Sequence, residues 1–242
     1  FMTEPLSPDD CAKFAAAKRA SELIEPGMRV GLGTGSTAAF LVRCLGGRVR
    51  DEGLNIKGVP TSSRTAQLAR EVGIEVLTLE QLPQLDLTID GADEFDPDLN
   101  LIKGGGGALL QEKIVAMASD KMVVITDASK SVDTLGAFAL PVEVLKFGWQ
   151  TSHELIKKRL DALGFGDRQI ARRMSGETPY VTDEGNYILD LQLGHIGDAP
   201  ELALRLNQIP GVVENGLFIG ICAQVIIGYP DGTTSERGHS DG

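Results

Sequence analysis

The sequence predicts an α/β protein: a mostly parallel sheet flanked by helices, with a second, smaller α+β domain. Three observations lead there. Short apolar runs alternate with helix-spaced stretches through the first half of the chain, and clusters of glycine and polar residues follow directly on the apolar runs. From about Leu135 the alternation changes to paired strands and helices at shorter spacing, a pattern of ferredoxin-like type.

The elements follow in order. Residues 9–24 carry helical spacing at Cys11, Phe14, Ala15 and Leu23, and Glu25-Pro26-Gly27 stops that helix. A short buried strand over 28–32 runs into Gly33-Thr34-Gly35-Ser36-Thr37 and a helix over 38–45. The next strand, 56–59, ends at Pro60-Thr61-Ser62-Ser63 ahead of a helix to about Val72. Strands are expected at 75–77 and 85–89, the latter ending in Asp90-Gly91-Ala92-Asp93-Glu94. Lys103 and a run of glycines then open a helix over 108–119, followed by a very apolar strand at 122–126. Three of the richest motifs thus fall at strand carboxyl ends, where parallel α/β sheets hold ligands.

In the second half, a strand over 140–147 and a helix over 152–163 precede strands near 169–174 and 187–193 and a helix over 200–209. Further strand material after Gly211 is expected to return to the first domain. The domains are therefore read as 1–134 plus 211–242 and as 135–210. The polar tail from Thr233 to Gly242 is expected to be disordered.

Composition narrows the function classes. Of 242 residues, 42% are hydrophobic and 24% charged, ordinary for a globular protein. No apolar run nears the ~20 residues of a membrane helix. The first residues lack the basic and apolar regions of an export signal, so a cytoplasmic protein is expected. Cys11, Cys44 and Cys222 lie too far apart to suggest a disulfide framework. With 23 basic against 34 acidic residues, the formal charge of −11 argues against nucleic acid and anionic membranes as partners. A phosphate would need a local site of backbone N–H groups, hydroxyls and a lysine or two.

The motifs supply such a site. Gly33-Thr34-Gly35-Ser36-Thr37 can turn its N–H groups inward at a helix start, which suits an anion. A nucleotide loop or a plain tight turn are the alternatives; the next strand ends without the acidic residue that would hold a nucleotide ribose. Asp90, Asp93 and Glu94 offer carboxylates for sugar hydroxyls, for a Mg²⁺ ion or for capping a turn. Lys103-Gly104-Gly105-Gly106-Gly107 with Glu112 fails the Walker pattern, yet combines a cation, a nest of N–H donors and a carboxylate. That is the equipment for removing a proton beside a carbonyl, the alternative being that Glu112-Lys113 is ordinary surface charge on a helix. Asp127-Ala-Ser-Lys130 adds a lysine at the same edge, either for a phosphate or as a solvated loop residue. His153, His195 and His239 fall outside every motif and have no metal-ligand spacing, which disfavours a His-ligated zinc site and a Ser-His-Asp hydrolase.

Taken together, GTGST at 33–37, DGADE at 90–94, KGGGGA at 103–108 with Glu112, and D-x-S-K at 127–130 resemble type A ribose-5-phosphate isomerase. Pro60-Thr-Ser-Ser, Leu140-Pro-Val-Glu-Val, Gly185-Asn-Tyr-Ile-Leu-Asp190 and the stretch 209–218 extend the resemblance to Gly232. It implies a Rossmann-like catalytic domain, no metal or other cofactor, and a homodimer or homotetramer. Its reaction would interconvert ribose 5-phosphate and ribulose 5-phosphate, in the pentose phosphate pathway, through a cis-enediolate. Glu112 would shuttle the proton, and Lys103 with Gly104, Gly105 and Gly106 would stabilise the oxyanion. Asp90, Gly91, Ala92 and Asp93 would bind sugar, with Asp90 helping to open the ring. Thr34, Gly35, Ser36, Thr37 and Lys130, assisted by Lys13, would take the phosphate. A non-catalytic sugar-phosphate sensor is the alternative from another class.

Overall fold

Ser7 starts the first helix by accepting the Asp10 N–H at 3.1 Å, a cap worth about 1 kcal/mol, and Pro8 follows where its missing N–H costs nothing. Asp9 and Asp10 at that end, with Lys18 and Arg19 at the other, complement the helix dipole. The computed structural model describes residues 6–238. The leading segment scanned for an export signal, and His239, lie outside the described residues. This helix, α1 (Pro8–Ser21), is followed by β1 (Arg29–Leu32), α2 (Ser36–Glu52), β2 (Lys57–Pro60), α3 (Ser63–Glu71), β3 (Glu75–Val76) and β4 (Leu87–Asp90). Then come β5 (Glu94–Phe95), β6 (Leu101–Ile102), α4 (Leu109–Met117), β7 (Met122–Asp127) and β8 (Leu140–Val144). The chain continues as α5 (Trp149–Ala162), β9 (Ile170–Arg172), β10 (Met174–Ser175), β11 (Thr178–Pro179) and β12 (Tyr187–Leu191). It ends with α6 (Ala199–Asn207), β13 (Val212–Asn215), β14 (Leu217–Phe218), β15 (Cys222–Gly228) and β16 (Thr234–Gly238).

These elements divide into two units. Among the described residues, one holds 6–92, Gln111–Lys130 and 220–238. Its sheet runs β16-β15-β7-β4-β1-β2-β3, with every neighbouring pair parallel except β15 with β16. The central strands carry near-continuous apolar runs because both faces are covered. Ala16, Ala20, Leu41 and Leu45 from α1 and α2 share one core with Val30, Leu32, Ile89, Val123 and Ile125. Each such fully buried large aliphatic side chain stabilises the unit by ~1.5–3 kcal/mol. From β1 the chain steps outward to β2 and β3, then crosses to β4 on the other side. The topological switch therefore lies between β1 and β4, and their carboxyl ends form the crevice where such sheets place ligands.

The other unit holds Asp93–Leu110 and Ser131–Ile219. Its antiparallel sheet has the order β13-β8-β12-β9, visited as β8-α5-β9-β12-α6-β13, which is the ferredoxin-like plan. Val142, Val144, Leu189 and Leu191 share a core with Ile156 and Leu160 of α5 and Leu202 and Leu206 of α6. By strand alternation Glu143 points to the opposite face of β8, where it too is fully buried. A small sheet, β14-β6-β5, and a β10-β11 hairpin complete the unit.

The α/β class with a smaller α+β part agrees with the sequence reading, while several details differ. Residues 211–219, expected with the larger domain, form β13 and β14, which pair with β8 and β6 of the smaller unit. Residues 93–110 belong to that unit as well. Two-residue strands such as β5, β6 and β14 are too short to show any alternation. The tail is a correction: residues 234–238, expected to be disordered, form β16, paired antiparallel with β15 from Gln224↔Gly238 to Gly228↔Thr234. An edge strand is held by main-chain bonds, so polar residues suffice.

Candidate active site

In the first unit the chemistry gathers at the carboxyl ends of β1 and β4. Asp90 closes β4, is fully buried, and accepts N–H bonds at Oδ1 from Thr34 (3.0 Å) and Gly91 (2.7 Å). A Cβ on Gly33 would stand 2.1 Å from that Oδ1, so only glycine lets β1 pass so close to the carboxylate. Two residues on, Gly35 takes φ 113°, a left-handed value, and delivers the chain into α2. The hydroxyl of Thr34 turns inward: it lies 2.7 Å from Thr61 Oγ1, donates to Ser62 Oγ at 2.9 Å, and lies 3.3 Å from Thr65 Oγ1. Thr65 in turn donates to the Gly33 carbonyl at 2.9 Å. Thr34 thus braces the loop from inside, whereas Ser36 is exposed and Thr37 half-buried in the first turn of α2.

Three further predicted residues belong to this unit. Glu112 sits in the first turn of α4 and is only 4% exposed. Asp127 ends β7 and accepts from both the N–H (2.9 Å) and the hydroxyl of Ser129, folding 128–130 into a 3₁₀ turn that carries half-buried Lys130. Lys13 is half-buried on α1, 3.9 Å from Asp10.

The second unit holds Asp93 and the glycine run. The Asp93 N–H donates to Ile102 at 2.8 Å, and its Oδ2 accepts the Gly105 N–H at 2.8 Å. A Cβ on Gly105 would lie 2.5 Å from Asp93 Oδ1. Gly104 and Gly107 take φ of 108° and 80°, and the Gly107 N–H closes a turn onto the Gly104 carbonyl at 3.0 Å. Lys103 is 2% exposed, and its ammonium lies 5.5 Å from the centre of the Phe218 ring. Glu94 is spent on structure, accepting the N–H groups of Gly136 (2.8 Å) and Phe138. Among the described residues no group of three His, Cys, Asp or Glu side chains is placed to hold a metal ion.

The comparisons decide the family. The model for ribose 5-phosphate isomerase A (phosphoriboisomerase A) matches residues 57–232. A ribose-5-phosphate isomerase A from Ruegeria sp. (strain TM1040) is 67% identical over 241 residues, covering 100% of this chain and 92% of that one. A solved D-ribose-5-phosphate isomerase in complex with phospho-erythronic acid has a TM-score of 0.87 at 38% identity, covering 94% of this chain and 97% of its own. The ribose 5-phosphate isomerase of Plasmodium falciparum gives 0.90 at 35% identity, covering 96% and 99%. The chain belongs to the ribose 5-phosphate isomerase A family. As a member of that family it is an isomerase.

Several supporting residues lie outside the motifs to which the sequence assigns a chemical role. Thr61, Ser62 and Thr65 lie in the hydroxyl cluster behind the β1 loop. Arg173 and Asp190 pair through Nε–Oδ2 (2.9 Å) and Nη2–Oδ1 (2.6 Å). The Tyr180 hydroxyl stands 2.2 Å from where a Gly107 Cβ would be. A signal existed for some: Pro60-Thr-Ser-Ser and the run ending at Asp190 are among the stretches that carried the resemblance.

Proposed function

We propose that Glu112 carries the proton in the interconversion of ribose 5-phosphate and ribulose 5-phosphate. The observation that bears this reading is a buried carboxylate in the first turn of α4, the helix opened by the lysine and glycine run. Asp90, held by two N–H groups with its strand end at the sheet's switch point, takes sugar hydroxyls and assists ring opening. In the open-chain aldose, Glu112 removes the C2 proton and the electrons move into the C1 carbonyl, giving a cis-enediolate. The O2 proton passes to O1, Glu112 returns its proton to C1, and O2 becomes the ketose carbonyl. Lys103 and the N–H groups of the glycine turn stabilise the charge on oxygen. Phospho-erythronic acid fits this chemistry, since its planar carboxylate has two oxygens where an enediolate has its own.

Ser36, Thr37, Gly35 and Lys130 take the phosphate, assisted by Lys13 of α1. The residues present supply acid, base and cation without a metal, so turnover survives exhaustive chelation. Activity abolished by chelator and restored by Mg²⁺ would transfer part of the work to a cation. A homodimer or homotetramer acting in the cytoplasm completes the reading, and light scattering on the purified protein tests the assembly. The main test is conversion of C2-deuterated ribose 5-phosphate: one carboxylate acting on one face passes part of the label to C1. Complete loss of label to solvent, together with a fully active Glu112→Gln enzyme, would remove Glu112 from the reaction.

A further inference from the structure

We propose that Arg173, anchored by Asp190, is a positioning residue that sets the orientation of the glycine turn and, through one peptide group, of Asp93. This rests on the proposed function, in which that turn faces the reacting oxygen. Arg173 follows β9, and its main chain is pinned on both sides: its N–H donates to Ile188 at 2.8 Å and its carbonyl accepts from Tyr180 at 2.9 Å. Its fork is occupied by the Asp190 carboxylate through Nε and Nη2. The remaining Nη1 donates to the carbonyls of Gly104 (2.7 Å) and Gly105 (3.2 Å). Both side chains are largely shielded, 15% and 20% exposed, so these charge-assisted bonds are weakly screened.

The geometry of a trans peptide gives this contact its consequence. Carbonyl and N–H point in opposite directions across the planar group. With the Gly104 carbonyl drawn onto a guanidinium, the Gly105 N–H faces the other way, and there it holds Asp93 Oδ2 at 2.8 Å. Positive charge at one end of that peptide and a carboxylate at the other polarise it in the same sense, strengthening both bonds. With the Gly105 carbonyl drawn likewise, the Gly106 N–H is directed away from Arg173. Gly106 is exposed, and among the described residues no group accepts that N–H. Arg173 therefore presents one donor to Asp93 and leaves another free for a ligand oxygen. An unconstrained four-glycine run has no rotameric or steric reason to choose this arrangement.

The test uses the whole protein with ¹⁵N-glycine labelling and three variants, Arg173→Ala, Arg173→Lys and Asp190→Ala. Amide exchange at Gly105 and Gly106, melting, kcat, KM and affinity for phospho-erythronic acid are measured, with Glu112→Gln alongside. Arg173→Ala is expected to raise Gly105 exchange about tenfold or more and to lower kcat/KM about a hundredfold. The loss should fall mainly on kcat, with affinity for the acid weakened more than KM rises. Arg173→Lys should recover part of the activity, and Asp190→Ala should show a smaller version of the same pattern. If Arg173→Ala does not fold, the other two variants give the same readouts. Lower melting with exchange and kcat unchanged would reduce the pair to a structural ion pair and overturn the proposal. Faster exchange with native kcat, beside an inactive Glu112→Gln enzyme, would overturn it equally. A near-native Glu112→Gln enzyme would instead strike the reading of Glu112, and Gly105 exchange would still decide whether Arg173 orients the turn.

Discussion

Asp90 and Asp93 stand three residues apart in sequence, yet each is cradled in its own unit by a different device. Asp90 accepts two backbone N–H groups and Asp93 one, and each presses against a glycine whose Cβ would collide with it. Asp90 is fixed by the frame of the parallel sheet: its own strand end, the neighbouring β1 loop and a cluster of buried hydroxyls. Asp93 is fixed by a loop that is itself held from a distance by Arg173 and Asp190. A carboxylate set by strand register is placed by the backbone of the neighbouring strand end, whereas one set by a glycine turn also needs side chains that hold the turn. Backbone position is cheap at a strand end and must be supplied by side chains in a loop of glycines.

The comparison can be broken most severely at the base. Glu112→Gln keeps the shape and removes the proton carrier, so kcat should drop by roughly 10²–10⁴, about 3–5 kcal/mol of barrier, with melting little changed. Ketose formation followed by absorbance reads this directly.

The two glycines sharpen the contrast between the cradles. Gly33→Ala places a methyl 2.1 Å from Asp90 Oδ1 inside a buried frame that has little room to relax. Stability should fall by about 1–3 kcal/mol along with activity. Gly105→Ala meets Asp93 at 2.5 Å but lies on an exposed turn that is able to shift. Its activity should fall while its melting temperature holds. Equal losses of stability would show that the turn is as rigid as the sheet edge.

Hydroxyls give a finer contrast within the first unit. Thr34→Val leaves Ser62 and Thr61 short of a partner and should cost about 1–3 kcal/mol of stability. Ser36→Ala should leave stability alone and raise KM for the sugar phosphate, by about 1.5–3 kcal/mol of binding. A Thr34→Val protein with native melting and a raised KM would return Thr34 to the phosphate.

The smallest effect concerns Glu143, in the second unit. Burial pushes its carboxyl above the usual range, despite the hydrogen bonds donated by Asn186 and Thr182, with Glu184 and Glu214 adding to the rise. The folded state therefore holds this proton more tightly than the unfolded chain, so its contribution is fully present below the ordinary glutamate range. It is lost as pH rises through the raised folded value. Glu143→Gln should remove that decline, so the variant gains on the parent as pH climbs through this window. A melting comparison from pH 4 to 8 that stays flat would mean that Glu143 titrates normally.

Much of this was legible in the sequence because it is local. GTGST, DGADE and KGGGGA each follow an apolar run, so strand ends and turns were readable without tertiary knowledge. The direction of the Thr34 side chain was not, because it depends on hydroxyls 27 to 31 residues away. The Arg173 contact spans 69 residues to Gly104 and leaves no local pattern. Strands β5, β6 and β14 are two residues each, and β16 reads Thr-Ser-Glu-Arg-Gly, with no apolar face to announce it.

That last strand has a consequence for how copies of the chain meet one another in solution. At one margin of the large sheet β3 is only two residues long, too short to recruit a foreign strand. At the other margin β15 carries Val225, Ile226 and Ile227 in sequence, a segment of the kind that nucleates cross-β stacking when bare. β16 covers it with an antiparallel partner whose outward residues are charged, and Glu236 is tethered to Arg19 at 2.9 Å. β16 thus closes the edge of β15, and removing it would leave the main-chain groups beside Val225, Ile226 and Ile227 open to a strand from another copy.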